Sequence, residues 1–272
     1  VGSSRIQFEF FDLLEPIDAH VARLNRFQPT VLIGPPSLLR LLAEHPKLTI
    51  RPVKVVSVAE VLDPLDERCL QERFGGVIHQ VYQCTEGFLG VTCSHGTLHL
   101  NEDLVAIQRE VLDAETRKFI PILTDFSRTT QPIIRYRLND ILTERAEPCP
   151  CGSVMTALER IEGRSDDLFY FPAKEGGVQE AERRVPVFPD FIRRAVMEAA
   201  PEALEYRVCQ LSETLVEVAL RLPAESGDVE ARVATRMAQL ADTMGAQPPL
   251  VTFTAYEAHR SERKLRRVER KF

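Results

Sequence analysis

The sequence predicts an α/β fold: a doubly wound parallel sheet with an adjoining antiparallel region, plus a small ferredoxin-like α+β C-terminal domain. Three observations carry this reading. Apolar runs of strand length alternate with helical-period segments between Ile17 and Tyr82. The helical period then lapses, and short strand-like runs follow from Leu104 to Leu138. Beyond Asp167 the elements return in the order β-α-β-β-α-β, the ferredoxin-like arrangement.

In the first part, Ile17, Val21, Leu24 and Phe27 recur at helical spacing, and Thr30 to Ile33 forms a buried strand closed by Gly34-Pro35-Pro36. A helix from Ser37 to Glu44, a strand from Val53 to Val58, a helix from Asp63 to Phe74 and a strand from Val77 to Tyr82 follow. Asp63 suits the N-cap and Pro64 the first helical position. Strand-like runs at Leu104 to Val111, Ile120 to Thr124 and Ile133 to Leu138 make the antiparallel region, expected to pack beside the parallel sheet.

A boundary falls at Arg164 to Asp167, dividing the chain into 1–165 and 166–272. The stretch from Ala173 to Arg184 lacks a period and reads as a mobile surface loop. The second part reads as a strand near Val185 to Phe188, a helix from Pro189 to Ala199, strands Leu204 to Leu211 and Thr214 to Leu220, a helix from Asp228 to Thr243 and a strand Leu250 to Ala255. The tail from His259 to Phe272 is basic, ordinarily a solvated face.

Composition excludes several function classes. The 272 residues carry 34 Lys and Arg against 40 Asp and Glu, a net charge of -6, which argues against a protein that coats nucleic acid. No apolar run approaches the roughly 20 residues of a membrane helix, and no signal-peptide core follows Val1. The expected location is cytoplasmic, with no membrane partner. A start at Val1 rather than Met suggests that an N-terminal portion is lacking.

Parallel sheets bind ligands outside the carboxyl ends of their strands. The segments to inspect are Ser57-Val58-Ala59-Glu60 and Tyr82-Gln83-Cys84-Thr85-Glu86-Gly87. The second resembles the Tyr-Gly-x-Thr/Ser-Glu motif of adenylate-forming enzymes. Thr124-Asp125, Arg135-Tyr136-Arg137-Leu138-Asn139-Asp140, Arg160-Ile161-Glu162-Gly163-Arg164-Ser165-Asp166-Asp167, Val187-Phe188-Pro189 and Arg260-Ser261-Glu262-Arg263-Lys264 resemble, in order, the later motifs of the acyl-adenylate-forming superfamily. The nearest resemblance is to phenylacetate-CoA ligase-like enzymes, aryl acid:CoA or acyl carrier protein ligases, through Cys149-Pro150-Cys151-Gly152 and the Ile-Glu-Gly-Arg run.

What the resemblance implies can be stated residue by residue. Glu86 would bind Mg²⁺, and Thr85 would hydrogen-bond the α-phosphate of ATP. Tyr82 would offer its ring to adenine, with Ala59 and Glu60 flanking the base. Asp140, acceptor-only when ionised, would take the ribose hydroxyls, with Arg164 approaching the ribose. Lys264 corresponds to the late catalytic lysine and Asp166 to the hinge of a C-terminal domain that rotates between half-reactions. Cys84 and Phe88 would face the acyl group.

Cys93, His99, Cys149 and Cys151 form a second constellation. Three thiolates and an imidazole make a closed tetrahedral Zn²⁺ set, structural because no position is left open, with His95 the rival to His99. Some phenylacetate-CoA ligase-like proteins carry zinc ligands at matching places. Cys69 and Cys209 read as ordinary small residues.

The chain also departs from the pattern. The Gly-rich phosphate loop is missing, Gln83 replaces the usual Gly, and Leu138-Asn139 replaces Thr-Gly. The expected activity is ATP-dependent adenylation of an aromatic carboxylic acid of benzoate, hydroxybenzoate or phenylacetate type. Thioester transfer to CoA or to the phosphopantetheine of an acyl carrier protein would follow, though this fragment alone is expected to be inactive; a homodimer is allowed for. The alternatives are a non-catalytic zinc-stabilised homologue that binds nucleotide or carrier protein, and a synthetase that stops short of thiol transfer. A nucleic-acid partner is not expected.

Overall fold

The computed structural model describes residues 6–13, 15–174, 184–224, 226–257 and 265–272. The chain opens with α1 (Ile17–Phe27), β1 (Val31–Gly34), α2 (Pro36–Glu44), β2 (Lys54–Ser57), α3 (Pro64–Phe74) and β3 (Ile78–Cys84). The three strands run parallel, with Leu32 opposite Val55 and Val55 opposite Ile78. Helical spacing puts Leu39, Leu42 and Ala43 of α2 on one buried face, where they cluster with Leu70 of α3. The α3 cap forms as the sequence predicts: Asp63 Oδ1 accepts from the Leu65 amide at 2.9 Å, and Pro64 is the first helical residue.

At Thr85-Glu86 the chain reverses into β4 (Gly87–Thr92), followed by β5 (Leu98–Leu100), β6 (Val105–Asp113), β7 (Lys118–Asp125), β8 (Ile133–Arg137), β9 (Asp140–Glu144) and β10 (Ala157–Arg164). All belong to one ten-stranded sheet in the order β1-β2-β3-β4-β5-β10-β9-β7-β6, with β8 on β7. The antiparallel region therefore continues the parallel sheet through β3 instead of packing beside it. The cause is the tight β3–β4 hairpin, which keeps β4 hydrogen-bonded to the last parallel strand.

After a 3₁₀ turn at Ser165–Asp167 come β11 (Phe169–Pro172), β12 (Arg184–Val187), α4 (Pro189–Ala199), β13 (Glu205–Ser212), β14 (Leu215–Arg221), α5 (Val229–Thr243), β15 (Leu250–Ala255) and β16 (Val268–Arg270). The predicted β-α-β-β-α-β run appears as β12 to β15, but β11 precedes it and β16 follows it, both unpredicted, and the four-stranded sheet runs β15-β14-β13-β16. β12 pairs with β11 as a separate ribbon, and β16, from the basic tail, takes the sheet edge beside β13. The sequence pattern could not choose between these partners because both strands are only a few residues long. Most of the predicted loop from Ala173 to Arg184 lies outside the described residues.

Phe169, Ile192, Tyr206, Val218 and Val233 build the C-terminal core, and Leu65 from α3 joins it. The first turn of α3 is thus planted in the second unit. Among the described residues, no helix is long and apolar enough to cross a membrane.

Candidate active site and metal centre

A cavity of about 1270 Å³ opens where β2 and β3 end, bounded on the far side by the C-terminal unit. Its volume exceeds the roughly 300–1,000 Å³ of an ordinary single-ligand pocket, so it has room for a nucleotide and a second substrate. Ala59, Glu60, Tyr82, Cys84, Thr85, Glu86, Asp140 and Arg164 all line it. Residues widely separated in sequence meet there because β3 and β9 both aim their ends into one opening.

The turn after β2 is strained. Ala59 holds φ at 69°, and the Glu60 amide bonds back to the Val58 carbonyl at 2.9 Å, closing a three-residue γ-turn. Glu60 then reaches in two directions. One carboxylate oxygen accepts from the Ser37 amide at 3.3 Å and the other from the Leu265 amide at 3.1 Å.

Tyr82 is buried, and its hydroxyl donates to Asp140 Oδ2 at 2.7 Å. Burial and the neighbouring Asp140 hold this phenol well above its usual range, so it stays protonated and serves as a donor. Burial, with Glu86 alongside, pushes the Cys84 thiol up to about 11. The charge of Glu86 and a hydrogen bond to it likewise raise the Tyr136 phenol. Cys84 is therefore a neutral wall residue at neutral pH.

One expected site residue lies elsewhere. Phe88, expected against the acyl group, is 42% exposed and is absent from the cavity wall. Strand alternation after Gly87 turns Leu89 inward and Phe88 outward. Asp166 sits at the rim outside the cavity, its Oδ2 accepting from Asn139 Nδ2 at 2.8 Å. The Asn that departs from the family pattern thus grips the residue expected to act as hinge. Lys264 lies outside the described residues.

Cys93, His99, Cys149 and Cys151 come together between the β4–β5 turn and the loop before β10, with their donor atoms all within 4.8 Å of one another. Cys93 and Cys149 sulfurs are 3.7 Å apart, and Cys151 Sγ is 3.4 Å from His99 Nε2. A tetrahedral zinc ion requires about 3.8 Å between thiolates and about 3.6 Å from thiolate to imidazole, so the donor set fits the ion. His99 Nδ1 lies 3.1 Å from the Met155 carbonyl, a partner that leaves the Nε2 lone pair free for metal. A hydrogen bond from Thr97, helped by one from the Cys151 backbone, draws the Cys149 thiol down to about 5, towards the thiolate a metal needs. His95, the rival ligand, is exposed and outside the group.

Sequence reasoning missed a charged seam between the two units. Asp66, 0% exposed, accepts a two-pronged contact from Arg267, both nitrogens at 2.8 Å, and a third from Arg40 at 3.0 Å. Glu205 completes the group at 2.8 Å from Arg267 and 3.3 Å from Arg40. Burial opposes the charge of Arg267, but Asp66, Asp63 and Glu205 outweigh it and hold the guanidinium above its ordinary value. Asp63 Oδ2 accepts from the Tyr206 hydroxyl at 2.7 Å and faces Arg193 at 3.1 Å. Farther along, buried Lys118 bonds Asp190 at 2.7 Å. Arg267 belongs to the basic tail read as solvated, yet it is 7% exposed. The available signal was charge falling on helical positions that periodicity assigns to a buried face, Arg40 beside Leu39 and Asp66 beside Leu65.

Comparison with known proteins places this geometry. No family model matches the chain. Protein CapK of Staphylococcus aureus is 24% identical over 171 residues, covering 60% of this chain and 37% of CapK. Among solved structures, 2-hydroxyisobutyryl-CoA ligase in its postadenylation state has a TM-score of 0.68 at 20% identity, covering 94% of this chain and 57% of the ligase. A benzoate CoA ligase from Burkholderia xenovorans LB400 has a TM-score of 0.59 at 18% identity, covering 93% of this chain and 53% of that one. The chain has the fold of the acyl- and aryl-CoA ligases of the adenylate-forming superfamily and spans little more than half their length. Against an open conformation of the same 2-hydroxyisobutyryl-CoA ligase the TM-score falls to 0.56.

Proposed function

We propose that this chain belongs to an ATP-dependent enzyme that adenylates an aromatic carboxylic acid and then transfers the acyl group to a thiol, of CoA or of a carrier-protein phosphopantetheine. The carrying observation is the convergence of Thr85, Glu86, Asp140 and Arg164 on one cavity that the C-terminal unit closes from the opposite side. In this reading 1–165 holds the nucleotide and acyl sites, and 166–272 is a mobile unit bearing Lys264, with Asp166 as its hinge.

The chemistry required is mostly positional and electrostatic: two anions, a carboxylate and a triphosphate, must be held together and their charge offset. Glu86, a hard oxygen donor on the cavity wall, would hold Mg²⁺, which when bound offsets phosphate charge. Asp140, oriented by the Tyr82 hydroxyl, accepts the ribose hydroxyls. Thr85 donates to the α-phosphate, and Arg164 adds positive charge near the ribose. Cys84, neutral and half-buried, shapes the acyl end. A zinc ion held by Cys93, His99, Cys149 and Cys151 would tie the loop before β10 to the far end of β4, the strand that begins next to Glu86, in a structural role.

An aromatic acid is favoured by the sequence resemblance to phenylacetate-CoA ligase-like enzymes, while the fold is shared with ligases of both an aromatic and an aliphatic acid. Acid-dependent ATP–pyrophosphate exchange tests the reading, using benzoate, hydroxybenzoates and phenylacetate on the full-length protein and on this chain. Exchange with one aromatic acid supports it and identifies the substrate. Nucleotide binding without exchange across these and aliphatic acids refutes it in favour of a binding protein.

A further inference from the structure

We propose that Arg207 and Lys271 form a diphosphate-binding subsite on the wall that the C-terminal unit gives to the cavity. The inference rests on the function proposed above and deepens it, since ATP and CoA both carry linked phosphates. Seven cationic side chains line the cavity. Four of them are neutralised by carboxylates: Arg137 by Glu110 at 2.7 Å, Arg193 by Asp63 at 3.1 Å, Arg266 by Asp167 at 3.6 Å and Arg267 by Asp66 at 2.8 Å. Arg164, Arg207 and Lys271 make no ion pair among the described residues. Arg164 already has a place beside the ribose in the proposed function. Arg207 and Lys271 are left as cations on the cavity wall with no partner of their own.

Strand alternation brings the two together. In β13, Tyr206 and Val208 pack into the C-terminal core, so Arg207 takes the opposite face of the sheet, the one turned to the cavity. β16 runs parallel to β13 with Glu269 opposite Cys209, and the Lys271 amide donates to the Gln210 carbonyl at 3.0 Å. Lys271 therefore shares that face, on the far side of Cys209 from Arg207. About 13 Å of strand separates the two backbones, a gap that two long side chains leaning inward narrow to the length of a chain of linked phosphates. Burial pushes the Cys209 thiol up, and the charges of Lys271 and Arg207 both pull against that rise, so both cations act on the same spot. The carboxylates on this face do not neutralise them. Glu205 is 2.8 Å from Arg267, Glu269 lies 3.9 Å from Arg266, and Glu217, opposite Cys209, is absent from the cavity wall. A monovalent anion would satisfy one cation and leave the other, whereas linked phosphates carry several charges along a chain. The guanidinium fork and the ammonium point charge are both strong donors to phosphate oxygen.

The test titrates inorganic pyrophosphate, ATP, AMP and CoA into the full-length protein by calorimetry, with Arg207→Gln and Lys271→Gln as variants. Lys271 is exposed, so its variant should keep the fold even if that of half-buried Arg207 does not. Arg236→Gln removes one positive charge outside the cavity and serves as the control. The parent should bind pyrophosphate with an affinity that weakens as salt is raised. Each variant should lose about tenfold of that affinity, the worth of one charge-assisted hydrogen bond. AMP binding in the variants, and pyrophosphate binding in the control, should stay within about twofold of the parent. A matching loss for ATP assigns the subsite to the nucleotide, and one for CoA assigns it to the thiol substrate; either supports the proposal. A pyrophosphate loss echoed by neither would make the binding adventitious and overturn it. Pyrophosphate affinity unchanged in either folded variant would overturn it as well, as would an equal loss for AMP or a parent that binds no pyrophosphate. Acid-dependent pyrophosphate exchange, run alongside, separates the two readings. Exchange with one acid and unchanged pyrophosphate affinity removes the subsite and keeps the function, whereas the expected loss with no exchange on any acid removes the function and keeps the subsite.

Discussion

Removing the metal from the cysteine and histidine site should lower stability by an amount the structure bounds. Cys93 and Cys149 are 56 residues apart, and His99 and Cys151 are 52 apart, so a shared ion acts as a cross-link over a long loop. Closing a loop of that length removes about 14 cal/mol/K from the unfolded chain, or about 4 kcal/mol at 25 °C. This figure is a ceiling, because β5 already pairs with β10 at His99 and Ala157 and holds the loop closed in part. At about 2–4 °C per kcal/mol for a chain of this size, the largest expected fall in Tm is about 8–16 °C. The assay is differential scanning calorimetry of the protein as purified, after strong chelation, and after zinc is restored, with metal content measured in parallel. Cys149→Ser should reproduce much of the loss and become insensitive to the chelator. A Tm unmoved by chelation, or metal far below one ion per chain, would refute the cross-link argument. An unaltered zinc content in Cys149→Ser would remove this residue from the site.

Three further outcomes are expected. Lys264→Ala should cut acid-dependent pyrophosphate exchange by about a hundredfold or more while sparing transfer from supplied acyl-adenylate; equal loss in both steps would contradict the role proposed for it. With its thiol pushed up to about 11, Cys84 carries roughly a hundredfold less thiolate at pH 8 than a thiol at the ordinary value of 9.0. Its alkylation should therefore be correspondingly slow and rise tenfold per pH unit until about pH 11, and rapid labelling at pH 8 would show that the wall around it is open. Gly90→Ala places a Cβ 2.6 Å from the His99 carbonyl oxygen, on the strand pair that carries the metal ligand. It should destabilise the protein by about 1–3 kcal/mol and weaken metal retention, and a denaturant midpoint equal to the parent would show that β4 and β5 separate freely.

Much of the fold was legible because it rests on local rules. The alternation from Ile17 to Tyr82 located three parallel strands and their helices, and the Asp63-Pro64 pair marked the start of α3. The strands β4, β5 and β10 were not legible, because glycines, His99 and charged residues interrupt their apolar pattern. Several of the expected site residues were legible as types at a spacing, and the cavity assembles Tyr82, Thr85, Glu86, Asp140 and Arg164. Phe88 was misplaced because the face a strand residue takes depends on where the hairpin turns, and that turn comes at Thr85-Glu86, one position before β4 begins.

The sequence by itself determined the alternation of the first three strands with their helices, the donors available to a metal and the residues at the ends of the parallel strands. These follow from periodicity, capping and side-chain chemistry, which act over a few neighbouring positions. Only the tertiary structure decided that the antiparallel strands extend the same sheet and that β16 displaces β12 from the C-terminal sheet. It alone brought Asp66, Arg40, Arg267 and Glu205 into one buried group. Strand partners and cross-unit ion pairs depend on which distant surfaces meet, and in a one-dimensional pattern Asp66 and Arg267, 201 positions apart, are merely two surface charges.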